Sequence, residues 1–334
     1  MSASRWNANR TRNLAQLAFS WARRQTVVPA PPIQVYVEPT NVCNYRCLYC
    51  SFSAPRYGRL AKGVMAPATF RAIVGRIRDE APQAALTLAL GGEPFLHPGL
   101  AELVRIANEF GFGAGIPSNG SLLTPERSRE LAAPGLRYGL LIDFCADPAI
   151  YERERHLGSW ETVRTNLQGY LDACRRTGRA PSLTIKDMSP VATPVAERAA
   201  ALARLQALFP ELPPDRFLVM NPHNWTGTVG APTRGRYSVC THPWSSLAIN
   251  YAGEAMACCR DILFDYPTGS VLERPLLEVW NGPRMQALRR GLARRDLDEL
   301  PTCRECDRPY RQGGLAAAPL REKVRAVYNL LHRR

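Results

Sequence analysis

Lysine is nearly missing from this chain. Lys62, Lys186 and Lys323 are its only lysines, so the net charge of +14 over 334 residues is carried almost wholly by arginine. The arginines are scattered and cluster only at the two ends, and no stripe interleaves basic with aromatic residues. That pattern argues against a nucleic-acid surface, while a basic exterior suits an anionic or phosphate-bearing substrate. Long apolar runs are also missing, although 46% of the residues are hydrophobic, which argues against a membrane span. The first 25 residues contain no acidic side chain and no apolar segment followed by a small-residue cleavage site, which argues against a secretory signal. The expected compartment is the cytoplasm. There, ten cysteines point to metal or redox chemistry rather than disulfides.

No internal repeat is present. What is present is an alternation of strand and helix patterns, and the length allows a large domain plus a smaller one. A basic amphipathic helix is expected up to about Gln25, followed by the Pro-rich link "TVVPAPPI". Six strand patterns follow: "IQVYVEPT", "AALTLAL", "FGAGIPS", "RYGLLIDFCAD", "PSLTIKD" and "RFLVMN". Each of the first five precedes at least one helical pattern. Such alternation predicts a parallel sheet with right-handed crossovers, and six units make an incomplete (β/α)6 TIM-like barrel of the α/β class. Ligands in such architectures sit at the C-terminal strand ends. The chemically unusual residues fall there: Cys43 to Cys50, Gly91-Gly92-Glu93, Ser118-Asn119, Asp143 with Cys145, Lys186 with Asp187, and Asn221 to Trp225.

"VCNYRCLYCS" places Cys43, Cys47 and Cys50 in a C-x3-C-x2-C loop after the first strand. A structural zinc site is commonly closed by four ligands in paired knuckles. Here three thiols share one loop, and no fourth His or Cys is near in sequence. A [4Fe–4S] cluster takes a ligand on each iron, so three thiolates leave one iron open for a small molecule. One βα unit later comes "GGEP", Gly91 to Pro94. Glycines allow close backbone approach to a ligand, and Glu93 can accept from an ammonium.

With these two motifs in this order, the chain resembles the radical S-adenosylmethionine (SAM) enzymes. The resemblance implies that the open iron chelates SAM and that an external electron donor of flavodoxin or ferredoxin type reduces the cluster. SAM is then cleaved to a 5′-deoxyadenosyl radical that abstracts a substrate hydrogen. It implies SAM contacts at Gly91, Gly92, Glu93 and Pro94, and at Ser118 and Asn119, whose "SNG" is similar to the family's TNG. The fourth strand departs from the family. "DPAIY" (Asp147 to Tyr151) fits, but Ile142, Phe144 and Cys145 stand where relatives carry Ser-x-Asp-Gly. Asp143 takes the ribose contact only with a shifted register.

A second set, Cys240, Cys258, Cys303 and Cys306, combines a hairpin pair with a C-x2-C knuckle, which is also how a zinc ribbon looks. Its order resembles the shortened SPASM fold called a twitch domain, and the resemblance implies one auxiliary [4Fe–4S] cluster on these four thiolates. The resemblance covers about Ile33 to Asp307. The expected organisation is 1–28 helix and linker, 29–228 partial barrel, 229–312 twitch domain and 313–334 an amphipathic helix.

Cys174 reads as a packed thiol. Cys145 and Cys259 are candidate hydrogen-atom donors, each with a plain structural alternative. Asp143, Lys186, Asp187 and His223 are candidate bases. Three reactions stay open. One is oxidation of a carbinol in a small sugar or aminocyclitol, with the auxiliary cluster taking an electron. Another is epimerisation of a sugar, nucleoside or peptide. The third is peptide maturation, which usually calls for a peptide-binding domain longer than the segment before Ile33. A non-enzymatic zinc or nucleic-acid binder is the outside class. Iron and sulfide analysis after anaerobic reconstitution is expected to give about eight irons per chain; about four, with zinc, would leave the second set as a zinc site.

Overall fold

A computed structural model describes residues 3–133, 135–220, 223–230 and 235–310. The expected C-terminal helix at 313–334 and Asn221 lie outside these residues. The chain opens with α1 (Ala3–Ala22), then β1 (Gln34–Val37), α2 (Pro67–Glu80), β2 (Ala85–Leu88), α3 (Leu100–Glu109), β3 (Ala114–Ser118), α4 (Pro125–Leu131) and β4 (Tyr138–Phe144). Next come α5 (Pro148–Arg155), α6 (Trp160–Arg176), β5 (Leu183–Asp187), α7 (Arg198–Leu208) and β6 (Phe217–Val219). The C-terminal part holds β7 (Ser246–Ile249), β8 (Glu254–Met256), β9 (Pro267–Ser270), α8 (Leu276–Trp280), α9 (Pro283–Arg294) and α10 (Pro301–Arg304).

Local chemistry sets the helix starts. Thr124, Asp147 and Ser159 each accept a hydrogen bond from a backbone N–H of the following turn. Pro125 and Pro148 occupy first positions, where a missing N–H does no harm. The helices bury one face on the sheet, as Phe70, Ile73, Val74 and Ile77 of α2 do.

The first six strands are parallel and ordered β6-β5-β4-β3-β2-β1. On β4, Tyr138, Leu140, Ile142 and Phe144 are buried, while Gly139, Leu141 and Asp143 are half-buried on the other face. β5 alternates the same way, with Asp187 on the buried face and Lys186 on the half-buried one.

The C-terminal part is joined to this sheet rather than hung from it. β7 pairs in parallel with β1, setting Tyr36 between Thr87 and Ala248, and β8 and β9 continue antiparallel. Gly253 makes the β7–β8 turn at φ +85°, where a side chain would strain the backbone. α1 closes against this region, with Trp21 Nε1 donating to the Val239 carbonyl.

Arg289 of α9 is fully buried and binds three segments together. Its guanidinium donates to the carbonyls of Pro243, Thr26 and Trp280 and to Asn281 Oδ1, at 2.7–3.0 Å. Arg289→Ala would leave three carbonyls, two of them on buried residues, short of a donor. The expected loss is on the order of 3 kcal/mol or more, read as a lower urea midpoint, and Asn281→Ala is expected to lose less.

Candidate active site

The cysteine loop runs from the end of β1 and is held against the loop after β2 by the backbone. Glu93 N donates to the Val42 carbonyl at 2.8 Å. A Cβ on Gly92 would lie 2.2 Å from Thr40 O and 2.6 Å from Val42 O. The glycine therefore makes room for the cysteine loop itself. A side chain is excluded there whether or not the backbone also faces a ligand. Gly91 is similarly hemmed by the Tyr57 hydroxyl and Glu38 Oε1, which would stand 2.8 and 3.0 Å from its Cβ. Glu38, buried at the end of β1, accepts from Gly91 N at 2.9 Å. Burial pushes its carboxyl up to about 7, partly offset by that bond.

Glu93 joins the second and third strand ends. Its carboxylate accepts from Phe95 N, Ser118 Oγ and Asn119 N at 2.8–3.0 Å. Three donors on about four lone-pair sites leave one for a ligand ammonium. Burial raises the carboxyl pKa and these donors oppose the rise. Asn119 Nδ2 donates to Asn44 Oδ1 at 2.9 Å, and Asn44 Nδ2 to Ser121 Oγ at 2.9 Å. Asn44, between the first two cysteines, thus ties the cysteine loop to "SNG". Sequence reasoning passed over it and over Glu38.

Cys43, Cys47 and Cys50 are close enough to repel one another as thiolates, and burial pushes Cys43 and Cys50 up to about 12. Buried thiols of this kind ionise only beside positive charge, which a metal centre supplies. Arg155, 5% exposed at the end of α5, donates to Cys47 Sγ at 3.5 Å and to the Asp143 carbonyl at 2.9 Å. No sequence signal marked it among the arginines of "YERER".

Asp143 and Lys186 are cross-strand partners in the β4–β5 register, with Lys186 Nζ 2.7 Å from Asp143 Oδ1. Both are part-exposed on the half-buried face. Asp187 is not with them. It is buried on the opposite face and accepts from Ser189 N and Oγ, as a turn cap. The strict alternation of a strand carried that signal in the sequence. Cys145 is also not open to the mouth. It is fully buried, and its thiol donates to the Asp147 carbonyl at 3.3 Å, a placement that supports the packed-thiol alternative. Cys174 is fully buried. Cys259 is half-buried and lies near Tyr36 of β1. The His223 ring lies tilted against that of Trp225, centroids 4.4 Å apart, and its Nδ1 accepts from Trp225 N at 3.2 Å.

Cys240, Cys258, Cys303 and Cys306 line one cavity, with Arg260 and Arg308. A four-iron cluster places each thiolate on its own iron, and four cysteines around one cavity supply that number of ligands. Asn224 anchors the knuckle to the loop after β6: its side chain accepts from Asp307 N at 2.9 Å and donates to the Glu305 carbonyl at 2.6 Å.

Gly92→Ala is expected to drive a methyl into Thr40 and Val42 and to remove the N-terminal cluster alone. Iron should fall by about four per chain, while Cys240→Ser removes the other four; iron analysis with electron paramagnetic resonance separates the two.

The family model of the radical SAM superfamily matches residues 37–181, and that of an iron–sulfur cluster-binding domain, SPASM, matches residues 240–307. The chain is 38% identical over 114 residues to a PqqA peptide cyclase of Ruegeria pomeroyi, which is 34% of this chain and 29% of that protein. It is 34% identical over 103 residues to a tungsten-containing aldehyde ferredoxin oxidoreductase cofactor-modifying protein of Pyrococcus furiosus, 30% of this chain and 28% of that one. The chain thus spans less than a third of the length of these two relatives. In fold it is similar to BtrN in complex with AdoMet and 2-DOIA (TM-score 0.58, 16% identity, 83% of this chain and 93% of that one). It is also similar to native anSMEcpe with bound AdoMet (TM-score 0.56, 13% identity, 90% and 96%). No helix among the described residues is long and apolar enough to cross a membrane. With three cysteines and a GGE loop at one set of strand ends, a four-cysteine cavity and two matching family models, this chain carries a radical SAM domain over residues 37–181 and an iron–sulfur cluster-binding SPASM domain over residues 240–307.

Proposed function

We propose that this radical SAM enzyme is an oxidoreductase that converts a carbinol of a small sugar or aminocyclitol-type molecule into a ketone. The observation that carries the reading is the four-cysteine cavity held beside the barrel mouth by Asn224, a destination for an electron leaving the substrate. The fold likeness to BtrN supports it. When bound, the N-terminal cluster and SAM supply a carbon-centred radical that takes the carbinol hydrogen. Cys43, Cys47 and Cys50 hold that cluster, and Glu93 with its Ser118 and Asn119 partners shapes the SAM site. Lys186 Nζ and the Asp143 carboxylate, on the half-buried face of the sheet, position the substrate hydroxyl and take its proton. A flavodoxin- or ferredoxin-type protein supplies the initiating electron.

The second reading is an epimerase. Cys259 is the candidate for the donor, since it lies near Tyr36 on β1 and burial raises its pKa, keeping the S–H form that a hydrogen-atom donor needs. Product mass with candidate aminocyclitols decides between them. Oxidation loses two hydrogens, and epimerisation leaves the mass unchanged in water and adds one deuterium in D2O. Under the oxidase reading, Lys186→Met lowers turnover by about 10²–10⁴ with iron content intact, while Cys259→Ala leaves oxidation in place. A turnover loss confined to Cys259→Ala, with deuterium uptake in the unaltered protein, would overturn it in favour of the epimerase.

A further inference from the structure

Arg155 is the buried cation nearest the cysteine loop, and its surroundings do not explain it as a plain structural tie. It is 5% exposed. One guanidinium nitrogen donates to Cys47 Sγ at 3.5 Å. Another donates to the Asp143 carbonyl and stands 3.3 Å from Asp143 Oδ2. The Nε is buried with no partner among the described residues. Tyr49, from the cysteine loop, and Tyr151, from α5, flank the guanidinium at 5.4 and 5.7 Å, so its plane is held by rings on two sides. Among the described residues the only carboxylate paired with it is shared, since Asp143 Oδ1 is taken by Lys186 at 2.7 Å. The group therefore sums to one net positive charge placed behind a cysteine that ligates the cluster.

We propose that Arg155 sets the reduction potential of the N-terminal cluster, with Asp143 as its counterweight. The reasoning is electrostatic. One-electron reduction adds one negative charge to the centre held by Cys43, Cys47 and Cys50. The donor electron comes from the flavodoxin- or ferredoxin-type reductant, or from dithionite in vitro, and no bond is made or broken. Arg155 faces that added charge from a buried, weakly screened position and hydrogen-bonds the thiolate sulfur. Charge and N–H···S bonds are the protein's levers on cluster potential. Arg155 favours the reduced state, and the Asp143 carboxylate opposes it. Arg155 acts on the cluster and not on the substrate, Asp143 is read here without substrate, and the proposal rests on the cluster assignment alone.

The test is an anaerobic redox titration of full-length, reconstituted protein without SAM or substrate, read by electron paramagnetic resonance. The auxiliary cluster in the same sample serves as internal control. Arg155→Gln is expected to shift the reduction equilibrium of the N-terminal cluster at least tenfold toward the oxidised state, about 59 mV for one electron. Asp143→Asn is expected to shift it at least twofold the other way, and neither moves the auxiliary cluster. A merely structural role predicts changes of stability or loading, not shifts of opposite sign. A shift below twofold for a loaded Arg155→Gln protein overturns the proposal, as does an Asp143→Asn shift that is absent or of the same sign. Should Arg155→Gln fail to take up the N-terminal cluster, Asp143→Asn decides alone by the same criterion. Unaltered protein with no reducible centre at the three cysteines would overturn the cluster assignment, and this proposal with it.

Discussion

The backbone contact between the cysteine loop and the loop after β2 is the constraint on which the barrel mouth depends. The Val42 carbonyl accepts from Glu93 N, and Gly92 lies so close to Thr40 and Val42 that no side chain fits. Because Glu93 starts at that contact, its carboxylate is delivered to Ser118 and Asn119 at the end of β3. Asn119 then reaches back through Asn44 to the cysteine loop. Three strand ends are thereby locked in a closed ring of hydrogen bonds. A ring in which each member is satisfied by the next is rigid, and rigidity is what placing a ligand over one open iron requires.

The second site is built on the first. β7 extends the parallel sheet from β1, so Cys240 and Cys258 flank a hairpin whose position the barrel dictates. The knuckle of Cys303 and Cys306 is pinned from the other side through Asn224 and Asp307. Tyr36, on the strand shared by both sites, lies near Cys259. The two cysteine sets are thus joined through a single strand of the sheet.

Much of this was legible in the chain. The strand and helix patterns appear in the expected order, and the positions of Cys43, Gly91 and Ser118 at strand ends followed from that order. The pairing of Asp143 with Lys186 needed the β4–β5 register, which no local pattern supplies. Asp187 shows the opposite case: alternation alone separates it from Lys186, and grouping the two overlooked it. Cys145, one residue beyond a strand, turns its thiol back to Asp147 because the capping turn of α5 begins there.

By itself the sequence determined the donor sets, since ligand chemistry is written in residue types and short spacings: three thiols in one loop, four in a hairpin and knuckle, and a GGE after a strand. Only the tertiary structure decided which groups face those thiols. Arg155 reaches Cys47 across 108 positions of chain, and Arg289 joins Thr26 to Trp280 across more than 250. Such contacts arise from how elements pack, and a buried charge carries no local signature of the partner it will meet.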